Sequence, residues 1–261
     1  MTAELSSLVA LSRALGEPSR ELAILAEGNT SIRSADGRML VKASGRSLRD
    51  ADQGDFVELE LAAVVALVDA PATDDAAVAE AFRSTEERTG LRPSVEALLH
   101  AVCLTLGGAQ VVGHSHPVAV LSLLCGEHAE RLATDMLFPD QIVVLGPRPL
   151  YVPYADPGLE LARRVRDGLR DHVARHGEPP KVIYLGNHGM FALGQTGAEV
   201  VQITEMAVKA ARILAGALAA GGARPLPPAA VARIDGRPDE DYRRRALAGS
   251  PAAGDQEGGH A

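Results

Sequence analysis

Aromatic side chains are scarce in this chain of 261 residues, which has four Tyr, four Phe and no Trp. Its core must therefore rest mainly on Ala, Val and Leu. Cysteine is almost absent as well. Cys103 and Cys125 both fall in apolar helical stretches, where a free thiol behaves as a small hydrophobe, so no disulfide framework is expected. No stretch approaches the roughly 18 apolar residues that span a bilayer, and Met1-Thr2-Ala3-Glu4 starts no basic segment followed by an apolar core. A cytoplasmic protein without a membrane partner is the expectation. Positive charge is in deficit, 26 Lys+Arg against 34 Asp+Glu, which gives a net charge of −8. That balance argues against nucleic acid as a partner and requires any anionic ligand to be held locally. With 46% hydrophobic and 23% charged residues, the composition is that of a globular chain, long enough for one sizeable domain. What the chain has in surplus is histidine, eight residues that an aliphatic core does not need.

Helical spacing of apolar residues runs from Leu5 to Leu15, breaks at Gly16-Glu17-Pro18-Ser19, and predicts a second short helix through Ala26. The segments Gly28 to Arg33 and Arg38 to Lys42 flank the turn Ser34-Ala35-Asp36-Gly37 and read as a β-hairpin. A strand at 56–59, a helix at 60–70 and a helix from Asp74 to Arg88 follow. Ser94 reads as the N-cap of a helix ending near Leu106, and Ala109 to Pro117 as a buried strand ended by proline. Beyond it the pattern predicts a helix from Val118, strands at 141–145 and 149–153, and an amphipathic helix at 158–176. A second hairpin turns at Asn187-His188-Gly189, and a long helix spans 197–221. Interleaved helices and strands with two hairpins imply an α/β fold, a mixed sheet covered by helices on both faces. The expected domain is 1–221. Residues 222–261 form an extension whose end, from about Gly249, lacks any helical or strand period and is expected to be disordered.

Three groups of residues carry chemistry. His114 and His116, one residue apart on a strand, project from one face and can converge on one ion. A catalytic metal site takes three protein ligands and keeps one position open, and His188, in a strand-turn-strand beside Gly189, is the best third ligand. Glu96 stands at the start of an apolar helix. Its carboxylate is either a partner of the helix dipole or a general acid/base whose pKa a desolvated pocket would raise. The small-residue turns Gly28-Asn29-Thr30-Ser31, Ala43-Ser44-Gly45 and Pro93-Ser94 offer hydroxyls, an amide and backbone N–H groups suited to a phosphate. None of them is a P-loop or a dinucleotide fingerprint. Among the other histidines, His100 shares a helix with Glu96 and supports the site or the core. His128, His172 and His176 read as solvated, and His260 lies in the tail.

Read in order, Gly28-Asn29-x-Ser31, Ser44-Gly45, Pro93-Ser94-x-Glu96, His114-x-His116-Pro117 and Asn187-His188-Gly189 resemble the class II aldolase/adducin family, over about residues 5 to 220. The resemblance implies a three-layer αβα fold with a mixed, mostly antiparallel sheet, assembled as a C4 homotetramer. It also implies zinc, or another divalent metal, on His114, His116 and His188, with Glu96 as the acid/base. Gly28, Asn29, Ser44, Gly45 and Ser94 would hold the phosphate of a small phosphorylated sugar. The implied reaction is cleavage of a ketose 1-phosphate, with a deoxy sugar as one candidate, to dihydroxyacetone phosphate and an aldehyde. A sugar-phosphate 4-epimerase, an oxo-acid phosphate decarboxylase and a non-catalytic adducin-like module are the alternatives.

Two departures from the family pattern stand out. Val95 replaces a phosphate-facing serine. Lys42 offers a compensating cation only if the hairpin turns it inward, and a solvated strand lysine is the simpler expectation. No tyrosine follows His116 as a second proton donor, and Tyr154 and Tyr242 are weak substitutes.

Overall fold

A computed structural model describes residues 3–237. It contains α1 (Ala3–Leu15), β1 (Asn29–Arg33), β2 (Arg38–Lys42), β3 (Phe56–Glu60), α2 (Leu61–Asp69), α3 (Asp75–Thr89) and α4 (Ala97–Leu106). These are followed by β4 (Val111–Ser115), α5 (Val118–Leu124), α6 (Arg131–Thr134), α7 (Pro139–Leu145), β5 (Leu150–Val152) and α8 (Leu159–His176). The described residues end with β6 (Val182–Leu185), β7 (Gly189–Gly194), α9 (Gly197–Ala219) and α10 (Pro228–Asp235).

The seven strands form one sheet in the order β3-β2-β1-β4-β7-β6-β5. Every pairing is antiparallel except that of β5 with β6. The two hairpins, β1–β2 and β6–β7, flank the central strand β4 on either side. Because side chains alternate across a strand, the sheet feeds two cores. Met39, Val41, Val57, Leu59, Val112, Ile183, Phe191 and Leu193 pack with α2, α3, α4 and α8. Phe56, Val111, Val182, Tyr184, Met190 and Ala192 pack with α1, α5, α7 and α9. The layered, mixed and mostly antiparallel sheet agrees with expectation, and aliphatic residues fill both cores.

Several local expectations are corrected. The run at 141–145 is helix α7, not a strand. Pro139 stands in its first turn, where a missing N–H costs nothing, and a short apolar run fits either element until packing decides. No helix reaches Ala26. The 3-10 turn Pro18–Arg20 ends at Glu21, and Glu21 and Leu25 both adopt the left-handed conformation. Helix α4 begins at Ala97 with Glu96 at its N-cap position, so Ser94 lies before the cap and its Oγ accepts from Glu96 N at 3.3 Å. Past residue 221 the chain continues into α10, reached through a 2.7 Å bond from Leu226 N to Met136 O. The expected disorder from Gly249, and Tyr242 and His260, lie outside the described residues.

One glycine fixes how the first hairpin meets the centre of the sheet. Gly28 has φ +68°, and a Cβ there would lie 2.6 Å from the carbonyl oxygen of His114. Gly28→Ala is expected to cost about 1–3 kcal/mol, from left-handed strain plus the clash. Urea denaturation measures it, and an unchanged midpoint would contradict the close approach.

Candidate metal centre

The site lies where β4 ends beside the starts of β1 and β7. Asn29 pairs with His114 and His114 with Phe191, so all three share one strand level. The period of two puts Val112 and His114 on the α4 face of the sheet, and Asn29 and Ser31 join them. Pro117 ends the strand after His116. Leu22 O and Glu21 O then accept from His116 N (2.8 Å) and Val118 N (3.1 Å), which anchors the turn to the preceding loop. Asn187 takes a left-handed conformation and carries the chain to His188, whose N donates to Leu185 O at 3.2 Å. Gly189 is required here, since a Cβ would meet His116 Cδ2 and Ser115 O, each at 2.6 Å.

Glu96, His114, His116 and His188 each aim one donor atom at a common point, and the four atoms lie within 4.8 Å of one another. Glu96 Oε1 is 3.1 Å from His114 Nε2 and 2.9 Å from His188 Nε2, and the Nε2 atoms of His114 and His116 are 2.9 Å apart. These contacts of 2.9–3.1 Å lie a few tenths of an ångström inside the spacing of about 3.4 Å between ligands of a tetrahedral ion with bonds near 2.1 Å, so a small spreading of the side chains would admit one. The protonation pattern agrees. His114 Nδ1 lies 3.0 Å from Met190 O, and a carbonyl only accepts, so Nδ1 carries a hydrogen and Nε2 is the atom turned toward the centre. That Nε2 faces a carboxylate oxygen, an arrangement that a cation between them, proton or metal, makes favourable. The residues therefore fit a divalent metal.

Burial and neighbours set the charge states. Burial, then the charge of His114 and His188, pushes His116 down to about 3. Burial, and then His114, pushes His100 to about 3 as well. For Glu96, burial favours the neutral acid, but His114 and His188 outweigh it and hold the carboxyl well below the usual carboxylate range. The expectation of a raised Glu96 is thus corrected. Its pocket is desolvated, but it is walled by imidazoles and not by apolar groups.

Of the residues expected at the phosphate, Ser44 and Gly45 form an exposed turn, with Gly45 at φ +74°. A bond from Ser44 N to Arg92 O (2.9 Å) and a bridge between Ala43 and Pro93 bring that turn beside Ser94. Asn29 is buried, and its Nδ2 donates to Glu96 Oε2 at 2.7 Å. Lys42 is not solvated. It is 2% exposed, and its Nζ donates to Ala43 O (3.4 Å) and Arg46 O (2.5 Å) inside the turn that carries Ser44 and Gly45. Burial lowers its pKa to about 8, and Glu96 and Asp55 partly offset that.

Some neighbours of the centre were foreseen in the sequence and others missed or misplaced. Ser31 and His100 hydrogen-bond behind Asn29, and the spacing of four from Glu96 to His100 already put both on one helix face. Glu27 Oε2 lies 3.9 Å from His116 Nδ1, with no signal beyond its place before Gly28. His172 is buried, not solvated, and its ring meets His176 edge-on. Tyr154 is half exposed, and its hydroxyl donates to Asp156 at 2.9 Å.

The profile of the Class II Aldolase and Adducin N-terminal domain matches residues 6–215. The chain belongs to this family. Its sequence is 27% identical over 186 residues to the "Uncharacterized oxidoreductase YuxG" of Bacillus subtilis (strain 168). That match takes in 68% of this chain but only 24% of that protein. Among solved structures, YgbL from Klebsiella pneumoniae, described as "a putative aldolase/epimerase/decarboxylase", superposes with a TM-score of 0.66 at 19% identity, covering 88% of this chain and 97% of that one. An L-fuculose-1-phosphate aldolase from Thermus thermophilus superposes at 0.60 and 20% identity, covering 87% and 100%. At these identities the structural likeness establishes the class II aldolase fold. Among the described residues no helix is long and apolar enough to cross a membrane.

Metal add-back tests the centre itself. Stripped protein given a divalent metal at 100 times its dissociation constant is expected to gain about 2.7 kcal/mol of stability, and His114→Ala to lose most of that gain. Thermal melts identical with and without metal would remove the cluster from metal binding.

Proposed function

We propose that this class II aldolase family member cleaves a small ketose 1-phosphate to dihydroxyacetone phosphate and an aldehyde, with zinc on His114, His116 and His188 and with Glu96 moving the proton at carbon. The observation that carries the reading is one half-buried carboxylate converging with three imidazoles beside a turn built around a buried lysine. Zinc in this centre would supply Lewis-acid stabilisation of the negative charge that develops on substrate oxygen as the carbon–carbon bond breaks.

The chain's own residues do the rest. Glu96, whose carboxyl is held well below the usual carboxylate range, takes up the proton that the substrate hydroxyl loses as it becomes the aldehyde carbonyl, and delivers it to the carbon that carries the developing charge. Asn29 keeps one of its oxygens tied, which limits its rotation. The phosphate would lie against Ser44, Gly45 and Ser94, near the backbone of Gly28. With Val95 in place of a hydroxyl, the compensating charge comes from Lys42. Its ammonium is held beneath the turn by the carbonyls of Ala43 and Arg46, where its charge adds to the attraction of the turn for an anion, while Ser44 N is taken by Arg92 O. A protein with a net charge of −8 can in this way hold a phosphate by one desolvated cation and a turn.

Incubation with a panel of ketose 1-phosphates, followed by coupled reduction of dihydroxyacetone phosphate, tests the reading. The triose phosphate is expected to accumulate, and Glu96→Gln to lower kcat by about 10²–10⁴. A C4 epimer without cleavage products, or carbon dioxide from an oxo-acid phosphate, contradicts it. Lys42 adds a pH signature. As pH rises through about 8 the ammonium becomes a neutral amine, so kcat/KM for a phosphorylated substrate is expected to fall above that point, and Lys42→Met to flatten that fall. A wild-type profile level from about pH 7 to about 9.5 would exclude Lys42 from phosphate binding.

A further inference from the structure

Both oxygens of Glu96 are engaged. Oε1 faces His114 and His188, and Oε2 accepts from Asn29 Nδ2 at 2.7 Å. An amide has a donor end and an acceptor end, and a flipped Asn29 would set its own oxygen against the carboxylate. What fixes the amide is the contact of its Oδ1 with His100 Nε2. A carbonyl oxygen only accepts, so His100 Nε2 carries the hydrogen. Its Nδ1 is then the acceptor, and it takes the hydroxyl of Ser31 at 2.6 Å. The donor direction is thereby determined along the whole chain: Ser31 to His100, His100 to Asn29, Asn29 to Glu96.

We propose that His100 is a positioning residue which, through Asn29, holds the Glu96 carboxylate as the fourth donor of the metal cluster when no substrate is bound. The inference rests on the reading of Glu96 and the three histidines as a metal centre. His100 never meets the common point of the ligands. It lies fully buried on α4, and its ring is edge-on to Phe191 at 5.2 Å, while His114 stacks on the same phenyl ring at 4.3 Å. Space-filling alone would be served by any large apolar residue. A side chain polar at both ring nitrogens, buried in an aliphatic core and bonded at each, is explained by the direction it imposes on Asn29. Buried and neutral, it serves as a fixed donor.

The test is zinc affinity, measured by competition with a chromophoric chelator on the full chain, so that it does not depend on finding the substrate. His100→Leu keeps bulk but loses the donor and is expected to weaken zinc binding by about 10–100-fold. His100→Gln, whose amide N–H can reach Asn29 Oδ1, is expected to recover most of that loss. In a Glu96→Gln background, His100→Leu should weaken zinc no further, because the group it positions is already gone. Asn29→Ala breaks the chain one link nearer and should match His100→Leu, including where His100→Leu fails to fold. Equal losses in the Leu and Gln variants, or an unchanged affinity with a lowered melting point, would show a packing role and overturn the inference. A wild-type protein that binds no zinc would instead overturn the metal reading and take the inference with it.

Discussion

The register of β4 against β1 and β7 is the constraint on which the rest of the site depends. It sets Asn29, His114 and Phe191 on one level and on one face of the sheet. A slip of one residue would turn His114 and His116 to the opposite core and bring Val111 and Gly113 to the site, because strand side chains alternate. Register is held by what surrounds the strand. Val111 and Val112 are each committed to a different core, Gly28 admits the backbone of His114, and Gly189 admits the ring of His116. The centre therefore needs no flexible loop for His114. For His116 and His188 it uses turns anchored by backbone hydrogen bonds.

The second constraint is electrostatic. A carboxylate placed among apolar residues would resist ionisation, but Glu96 is met by imidazoles and an amide, which hold its carboxyl below the usual carboxylate range although it is half-buried. Lys42 is the opposite case. It is a buried cation whose partners are mainly backbone carbonyls, and its hold on its proton is weakened accordingly. The two buried charges, with Asp55 nearby, feel one another, so the acidic bulk charge of the molecule says little about the anion the site can take. This is why a phosphate-binding role is compatible with a net charge of −8.

Much of this was legible in the sequence. The two hairpins announced themselves through Ser34-Ala35-Asp36-Gly37 and Asn187-His188-Gly189, and the ligand pair through its spacing of two. What stayed hidden depended on tertiary context. The β-branched run at 141–145 is strand-like until Pro139 and the packing against α9 make it helix. Glu21 and Leu25 take left-handed conformations that no propensity predicts. The inward turn of Lys42 comes from the bend after β2, which the strand period does not encode. His100 was visible as a helix neighbour of Glu96, but its partners Ser31 and Asn29 lie some seventy residues away in sequence and meet it only once the sheet is formed. Histidines cannot be sorted by their local surroundings alone, as buried His172 also shows.

The central claim is that a divalent metal is held at the convergence of β4, the turn before β7 and the start of α4. Anomalous diffraction at the zinc edge, from crystals of protein purified without chelator, tests it most directly. The account predicts a single strong peak within about 2.0–2.2 Å of the Nε2 atoms of His114, His116 and His188. No peak there in zinc-saturated crystals, or a peak held by other residues, would contradict it.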